Sequence, residues 1–457
     1  MLVQFAVQNY RSFKSEALLN LYPARSGIHS DHVLVSEEDG RRASALPVAV
    51  LYGANASGKS NLVSALATAQ EIIVSNIKSG FALPVTPFLL ADDTSSQPSR
   101  FEFVLKHDGV LYTYGFAATS SQIVEEWLFA VLNKREVKLF ERVTRDDRAV
   151  VEPGNQLAST SREKQRLAFI AEGLQPNQLF LAEAVERNVE LLAPLVHWFT
   201  HRLKIIHPDA KYTHLIPRAI DEPEFRQFLN DFLCAADTGI QSLKVISETQ
   251  RTGRRPDDAS APDQVPDEIL KYLASSQDHF AVYRVGKKLL GVHLDEDGDL
   301  EFLSLQTVHQ LEDGASVSFS IEDESDGTHR MLHLAPALYN LHSTEDVYVI
   351  DEFDRSLHPG LCRAFLEGFL RSVTRSGCQG QIILTTHETS ILSLDLLRRD
   401  EIWFVEKDLG GASHISSLAE FDVRQDLRID KGYINGRFGA IPFVGDMARL
   451  FPVGGCD

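Results

Sequence analysis

Gly53-Ala54-Asn55-Ala56-Ser57-Gly58-Lys59-Ser60 carries the spacing G-x-x-x-x-G-K-S/T in full. Glycines at that spacing let backbone N–H groups close around phosphate oxygens, the lysine reaches the outer phosphates, and the hydroxyl after it is a Mg²⁺ ligand. Average residue frequencies supply such a match by chance in about one chain in a hundred of this length. We read Gly53–Ser60, with the adjoining Asn61, as a nucleotide site, and Ser60 as a ligand of the metal. Val347-Tyr348-Val349-Ile350-Asp351-Glu352 is an apolar run that ends in two adjacent carboxylates. Neighbouring strand residues face opposite sides, so Asp351 is expected on Mg²⁺ or its waters. Glu352 is then the base that orients and deprotonates an attacking water. An isolated Asp-Glu is ordinarily a solvated strand end; the phosphate loop is what gives this one a task. Ile382 to Thr386 is another apolar run, and His387 at its end is placed to meet a γ-phosphate. Ser325-Asp326-Gly327-Thr328 opens a helical stretch near His329, a composition that suits an anion and equally a plain N-cap.

Other arrangements fail on spacing. His387-Glu388 is followed by Ile391 where a zinc protease needs a second histidine. Asp295, Asp297 and Asp299 place Gly298 at the fourth position of a would-be calcium loop, which needs it at the sixth, so a polar turn is expected there. Arg251, Arg254 and Arg255 could meet a phosphate backbone, yet acidic residues follow at once, and residues 250–266 read as an exposed loop. Cys234, Cys362, Cys378 and Cys456 form no C-x-x-C pair and read as reduced thiols.

The elements that must position these groups can be read from periodicity. Val48–Tyr52 is a short apolar run ahead of Gly53, as a buried central strand requires. Leu62, Leu66, Ala69, Ile73 and Ile77 recur at helical spacing behind the loop. Alternating runs on either side of Asp108-Gly109 predict a hairpin. Residues 161–204 and 222–235 look helical, strands resume over 279–305, and strands then alternate with helices from 347 to 405. The expectation is an α/β fold with a largely parallel sheet built from both ends of the chain, 1–155 and 279–457, around a mainly helical insertion over 156–278.

Composition is consistent with that. The chain of 457 residues is 44% hydrophobic and 24% charged, which excludes a disordered or fibrous protein, and no apolar run is long enough to cross a membrane. The first nine residues lack the features of a signal peptide, so a cytoplasmic protein is expected. A formal net charge of −19 weighs against a constitutive nucleic-acid coat.

The order Gly53–Ser60, Ser325–Thr328, Asp351-Glu352, Asp354, His387 resembles the ABC-type ATPase heads of the SMC and RecF class. The resemblance implies that Ser325 and Gly327 act as the signature contacting a nucleotide, Asp354 as the D-loop, and His387 as the switch histidine. Asn9-Tyr10-Arg11-Ser12-Phe13 is similar to the N-F-R-S-F opening of RecF-like heads and places Arg11 near the nucleotide. The pattern is nearest to RecF-like ATPases of bacterial defence islands, the abortive-infection and OLD-like class. Residues Ser325–Arg330, Ser356–Pro359 and Gly436-Arg437-Phe438-Gly439-Ala440-Ile441-Pro442 carry that likeness. The signature departs from L-S-G-G-Q, and Gln70, Gln97 and Gln122 are all candidates for the Q-loop. By implication the protein uses ATP and Mg²⁺ and forms a homodimer or higher homo-oligomer whose heads share nucleotides. It would be the ATPase subunit of an anti-phage defence system, acting with a separate nuclease or toxin encoded nearby. Only 70 residues follow His387, so the nuclease domain of OLD-like proteins is not expected within the chain. A RecF-like repair ATPase that binds DNA directly is the alternative, and a nucleotide-binding scaffold without hydrolysis a further one.

Overall fold

A computed structural model describes residues 1–38, 41–75, 81–146, 148–210, 212, 215–250, 265–275, 280–285, 288–294, 299–341, 344–422 and 428–440. Two compact units are present. One comprises Met1–Pro208, Leu341–Asp354 and Cys362–Asp457; the other comprises Asp209–Asn340 and Arg355–Leu361. Of the loop expected at 250–266, Gln250 ends a strand and residues 251–264 lie outside the described residues, as do most of the Asp295 turn, Ile77, Ile441, Pro442 and Cys456.

The first unit is α/β and holds two large sheets beside a two-stranded one, Leu34–Glu38 with Arg41–Ala45. A six-stranded sheet runs in the order Leu203–Ile206, Val347–Ile350, Gln381–Thr385, Val48–Tyr52, Ile402–Lys407, Ser413–Ser417. Its first five strands are mutually parallel, and Ser413–Ser417 closes one edge antiparallel to Ile402–Lys407. Every residue of Val48–Tyr52, Val347–Ile350 and Gln381–Thr385 is buried. That is why these strands read as continuous apolar runs: a parallel sheet is covered on both faces. The second sheet is antiparallel, with seven strands in the order Arg148–Pro153, Arg135–Arg145, Ile123–Leu132, Val110–Ala118, Ser99–His107, Leu2–Gln8, Ala17–Asn20. The expected hairpin is there, with Asp108 and Gly109 at φ 46° and 74° as a two-residue turn of the primed type requires. Helix Lys59–Val74 brings Leu62, Leu66, Ala69 and Ile73 into one core with Phe5 and Phe103 of the antiparallel sheet and Ala49, Leu51 and Val349 of the parallel one.

The helical expectation over 161–204 is corrected at its end. Helices Ser161–Glu172, Phe180–Glu186 and Ala193–His197 lead through one wide turn, Trp198–Arg202, into a strand, Leu203–Ile206. The strand pairs with Val347–Ile350 residue for residue, and Leu191, placed on the apolar face by its periodicity, is exposed. Pairing with a buried neighbour outweighed local helical propensity here.

Among the described residues of 156–278 most elements are helical, as expected, but the compact second unit has other bounds and is mixed. Helices Leu215–Asp221, Pro223–Ala235 and Asp326–Leu341 accompany a sheet of Ile240–Gln250, Leu300–Gln310, Lys288–Leu294 and Phe280–Val285, with Ser316–Ser320 beside Leu300–Gln310. Ile240–Gln250 is paired along its length with Leu300–Gln310, so the boundary read at 278 cuts through one sheet. The unit begins at Asp209, not at 156, and its main segment runs to Asn340.

Candidate functional site

The register of the parallel sheet aligns its strand ends. Leu384 lies opposite both Ile350 and Val50, and Thr385 opposite Leu51. The residues that follow Tyr52, Ile350 and Thr385 therefore emerge along one edge, the carboxyl edge where open α/β sheets bind ligands. From Tyr52 the chain turns through Gly53–Gly58 and enters the helix at Lys59. Two glycines are sterically required. A Cβ on Gly53 would collide with the Val405 carbonyl oxygen, and one on Gly58, which has φ 118°, with the Ser413 hydroxyl. Behind the loop, Ser413 Oγ donates to the Ser57 carbonyl (2.6 Å) and to Ser12 Oγ (2.8 Å). Asn61 Nδ2 donates to the same Ser12 Oγ at 2.8 Å. The cradle is fastened from its outer side, and within it the Ser57 amide donates to the Ala54 carbonyl at 3.2 Å.

Lys59 Nζ donates to the carbonyls of Gly53 (2.7 Å) and Ala54 (3.1 Å), so its ammonium rests across the mouth of the loop. Burial pushes its pKa down to about 8, against the pull of Asp351, Asp354 and Glu352. Ser60 Oγ donates to Asp351 Oδ1 at 3.2 Å. Thr385 Oγ1 donates to the same carboxylate oxygen at 2.5 Å and accepts from the Glu352 amide at 2.8 Å. Glu352 has φ 46°, a strained value for a residue with a side chain, and the Thr385 hydroxyl helps hold it there. Asp354 accepts from Thr386 Oγ1 at 2.8 Å and from the His387 amide at 3.3 Å. His387 is itself exposed, and its pKa is lowered by partial desolvation and by the Lys59 ammonium. A neutral imidazole at that position can donate one hydrogen bond to a phosphate oxygen.

The residues fit a nucleotide and a hard cation. Ser57 Oγ is buried without a partner among the described residues, and Ala54, Asn55 and Ala56 are at least partly exposed. Mg²⁺ is bound by one or two protein oxygens together with phosphate oxygens and water, and the Ser60 hydroxyl and Asp351 carboxylate, 3.2 Å apart, make that kind of donor set.

The structure thus brings Gly53–Asn61, Asp351, Glu352, Asp354 and His387 to one edge of one sheet. Arg11 joins them at one remove. Its guanidinium donates to Ser64 Oγ, one helical turn beyond Ser60, at 3.1 Å, and its backbone N–H donates to the Thr86 carbonyl. Ser325 and Gly327 belong to the second unit, where Ser325 Oγ accepts from the Thr328 amide at 3.2 Å as an N-cap does. Among the Q-loop candidates, Gln70 spends its amide on the Phe199 and Leu203 carbonyls. Sequence reasoning missed Thr385, Thr386, Ser12 and Ser413. The paired threonines at the end of an apolar strand were the one available signal for the first two. The serines, 401 residues apart, meet only through the fold.

The family model described as "AAA domain, putative AbiEii toxin, Type IV TA system" matches residues 48–393. Among solved structures, the SMC head domain from Thermotoga maritima is similar at 12% identity and a TM-score of 0.37, covering 91% of this chain and 98% of that one. An SMC head bound to the C-winged helix domain of ScpA is similar at 11% identity and a TM-score of 0.34, covering 91% and 97%. No curated protein matches the chain.

Proposed function

The chain belongs to this AAA-domain family, and from that premise we propose that it is an ATP-binding and ATP-hydrolysing switch protein. One observation carries the reading: Asp351 receives both the Ser60 and the Thr385 hydroxyls, while the Lys59 ammonium lies across the adjoining loop.

In the proposed cycle amides of the loop beyond Gly53 surround the phosphates, and the Lys59 ammonium leaves two backbone carbonyls for the outer phosphate oxygens. Ser60 and Asp351 would hold Mg²⁺, which would supply charge neutralisation to the phosphates. Glu352 accepts the proton of a water as its oxygen attacks the γ-phosphorus, and the bond to the β–γ bridging oxygen breaks, giving ADP and phosphate. His387, neutral near pH 7, donates to a γ-phosphate oxygen and reports its presence through Asp354, which holds the His387 amide. Such a contact lets γ-phosphate loss become a movement of the Asp354 and His387 segments.

We assign the signature role to Ser325 and Gly327 of a second copy, so that the active form is a homodimer or larger assembly. The biological role we propose is the ATPase component of a defence system of the abortive-infection kind, working in the cytoplasm with a separate effector. The family's description as an AbiEii-type toxin domain supports that direction.

The test is Glu352→Gln, which keeps size and hydrogen bonding and removes the base. Hydrolysis is expected to fall about 10²- to 10⁴-fold while ATP binding is retained, and light scattering should detect more dimer with ATP than without. Hydrolysis at the parental rate refutes the base. Loss of hydrolysis with no ATP-dependent change in mass refutes the nucleotide-driven assembly.

A further inference from the structure

The C-terminal run Gly436–Ala440 has no task in the reaction above, yet it is built against the first residue of the phosphate loop. Helix Ile429–Ile434 is followed by a tight reversal in which Gly436, Gly439 and Ala440 all have positive φ, 78°, 65° and 56°. The reversal is closed by the Gly436 amide on the Tyr433 carbonyl and the Arg437 amide on the Gly432 carbonyl, at 2.9 and 3.0 Å. Its glycines are needed: a Cβ on Gly439 would collide with the Glu406 carboxylate, and one on Gly432 would meet the Phe438 ring at 2.9 Å. Turned in this way, Phe438 stacks on Phe404 at 5.2 Å and 9°, and Tyr433 lies on the same ring at 5.8 Å and 18°. Phe404 sits on the strand directly beside the phosphate-loop strand, opposite Tyr52. Tyr433 meets Tyr52 edge-on at 5.8 Å and 61°.

The hydroxyl of Tyr433 is the polar point of this aromatic cluster. It donates to the Ala440 carbonyl at 3.3 Å, and the backbone N–H of Gly53 is directed at its oxygen. The carbonyl of the same Gly53 accepts the Lys59 ammonium at 2.7 Å. The first glycine of the loop therefore has its N–H on the side of the Tyr433 hydroxyl, and its C=O is held by the phosphate-binding lysine. A Cβ at this position would meet the Val405 carbonyl and the Ser57 hydroxyl, so only glycine fits there.

We propose that residues 429–440 form a clamp that presets the phosphate loop for nucleotide, with Tyr433 as its positioning residue. The proposal rests on the reading of Gly53–Ser60 as the nucleotide site. Tyr433 touches no phosphate in this scheme. It acts by fixing the Gly53 peptide, so that binding does not have to order the loop's entry. A loop that must be ordered at the moment of binding gives a weaker apparent affinity.

The test compares Tyr433→Phe, which keeps the ring stack and removes the hydroxyl, with Phe438→Leu, which keeps the hydroxyl and loosens the stack, and with Lys59→Ala as control. Affinity for a fluorescent ATP analogue is measured together with hydrogen exchange of residues 50–58 and 429–440 in the nucleotide-free protein. The expected result for Tyr433→Phe is about fivefold weaker binding, the worth of about one net hydrogen bond. Faster exchange at 50–58 should accompany it, with turnover at saturating ATP unchanged. Phe438→Leu should speed exchange in both segments and weaken binding in the same direction. If Lys59→Ala abolishes binding while Tyr433→Phe binds as the parent does, or leaves exchange at 50–58 unaltered, the clamp is overturned and the site stands. If Lys59→Ala binds normally, the site reading fails first.

Discussion

Thr385→Val removes one hydroxyl and almost no volume at a position that is fully buried. Two hydrogen bonds go with it: the one donated to Asp351 Oδ1 at 2.5 Å and the one accepted from the Glu352 amide at 2.8 Å. Asp351 keeps Ser60, but Glu352 loses a bond that helps hold its backbone at φ 46°. A hydrogen bond to a charged acceptor contributes about 1.5 to 3 kcal/mol and one between neutral groups about 1 kcal/mol. The upper limit on lost stability is then about 4 kcal/mol. If the Asp351 bond acts mainly on the reacting state, its share corresponds to a fall in turnover of roughly 10- to 150-fold. The Mg²⁺ concentration for half-maximal activity should also rise, because the carboxylate is no longer oriented from behind. The assay is phosphate release against Mg²⁺ at saturating ATP, with a melting curve on the same sample. Thr385→Ser, which retains the hydroxyl, should recover most of the activity. Thr385→Val with parental turnover and an unshifted Mg²⁺ requirement would refute the role given to Asp351 and its support. A lowered melting curve with parental turnover would make Thr385 a structural residue alone.

Lys59→Ala should abolish ATP binding with little loss of melting temperature, measured by nucleotide titration and thermal unfolding, because a buried cation facing a ligand contributes little to the unliganded fold. Lys59 also predicts a pH dependence of opposite sign for binding and stability. Its pKa in the free protein is about 8 against 10.5 in an unfolded chain. Affinity should be level below pH 8 and fall up to tenfold per unit above it, where ATP must bring a proton with it. Over the same window, from about 8 to 10.5, this group should make the free protein more stable as pH rises, since the unfolded chain binds the extra proton. A nucleotide affinity that is flat from about pH 7 to 9.5 would refute the lowered pKa.

The parts of the site that lie within one continuous segment are legible from the order of the residues alone. Gly53–Ser60 and Asp351-Glu352 are marked by spacing and by the apolar strands that precede them, and the fold places them at one sheet edge. Leu203–Ile206 is not legible as a strand, since four residues after a helical stretch carry too little periodicity, and its partner is 144 positions away in register (Leu203 opposite Val347). The same holds for the second unit. Ile240–Gln250 owes its conformation to Leu300–Gln310, and a boundary drawn from local composition falls between two strands that only the fold joins. Ser413 has no local signal at all, and the Asn9–Phe13 opening marks Ser12 without showing its task, because a serine that braces a loop looks like any other until its partner arrives.

The order of strands in the parallel sheet has a consequence in time. Val48–Tyr52 is apolar and buried at every position, and its two neighbours are Gln381–Thr385 and Ile402–Lys407. Both are made at least about 330 residues later. At the usual pace of synthesis, roughly 5 to 20 residues per second, the phosphate-loop strand waits something like ~15 to 65 seconds for either edge to be covered. The antiparallel sheet and its hairpins, all of whose strands lie before residue 154, can form in that interval; the nucleotide site cannot. The proposed nucleotide site therefore cannot be assembled until residues 381–407 have been made. A chain truncated anywhere between Ser60 and Gln381 would carry an intact phosphate-loop motif, an uncovered apolar strand prone to the wrong pairing, and no site.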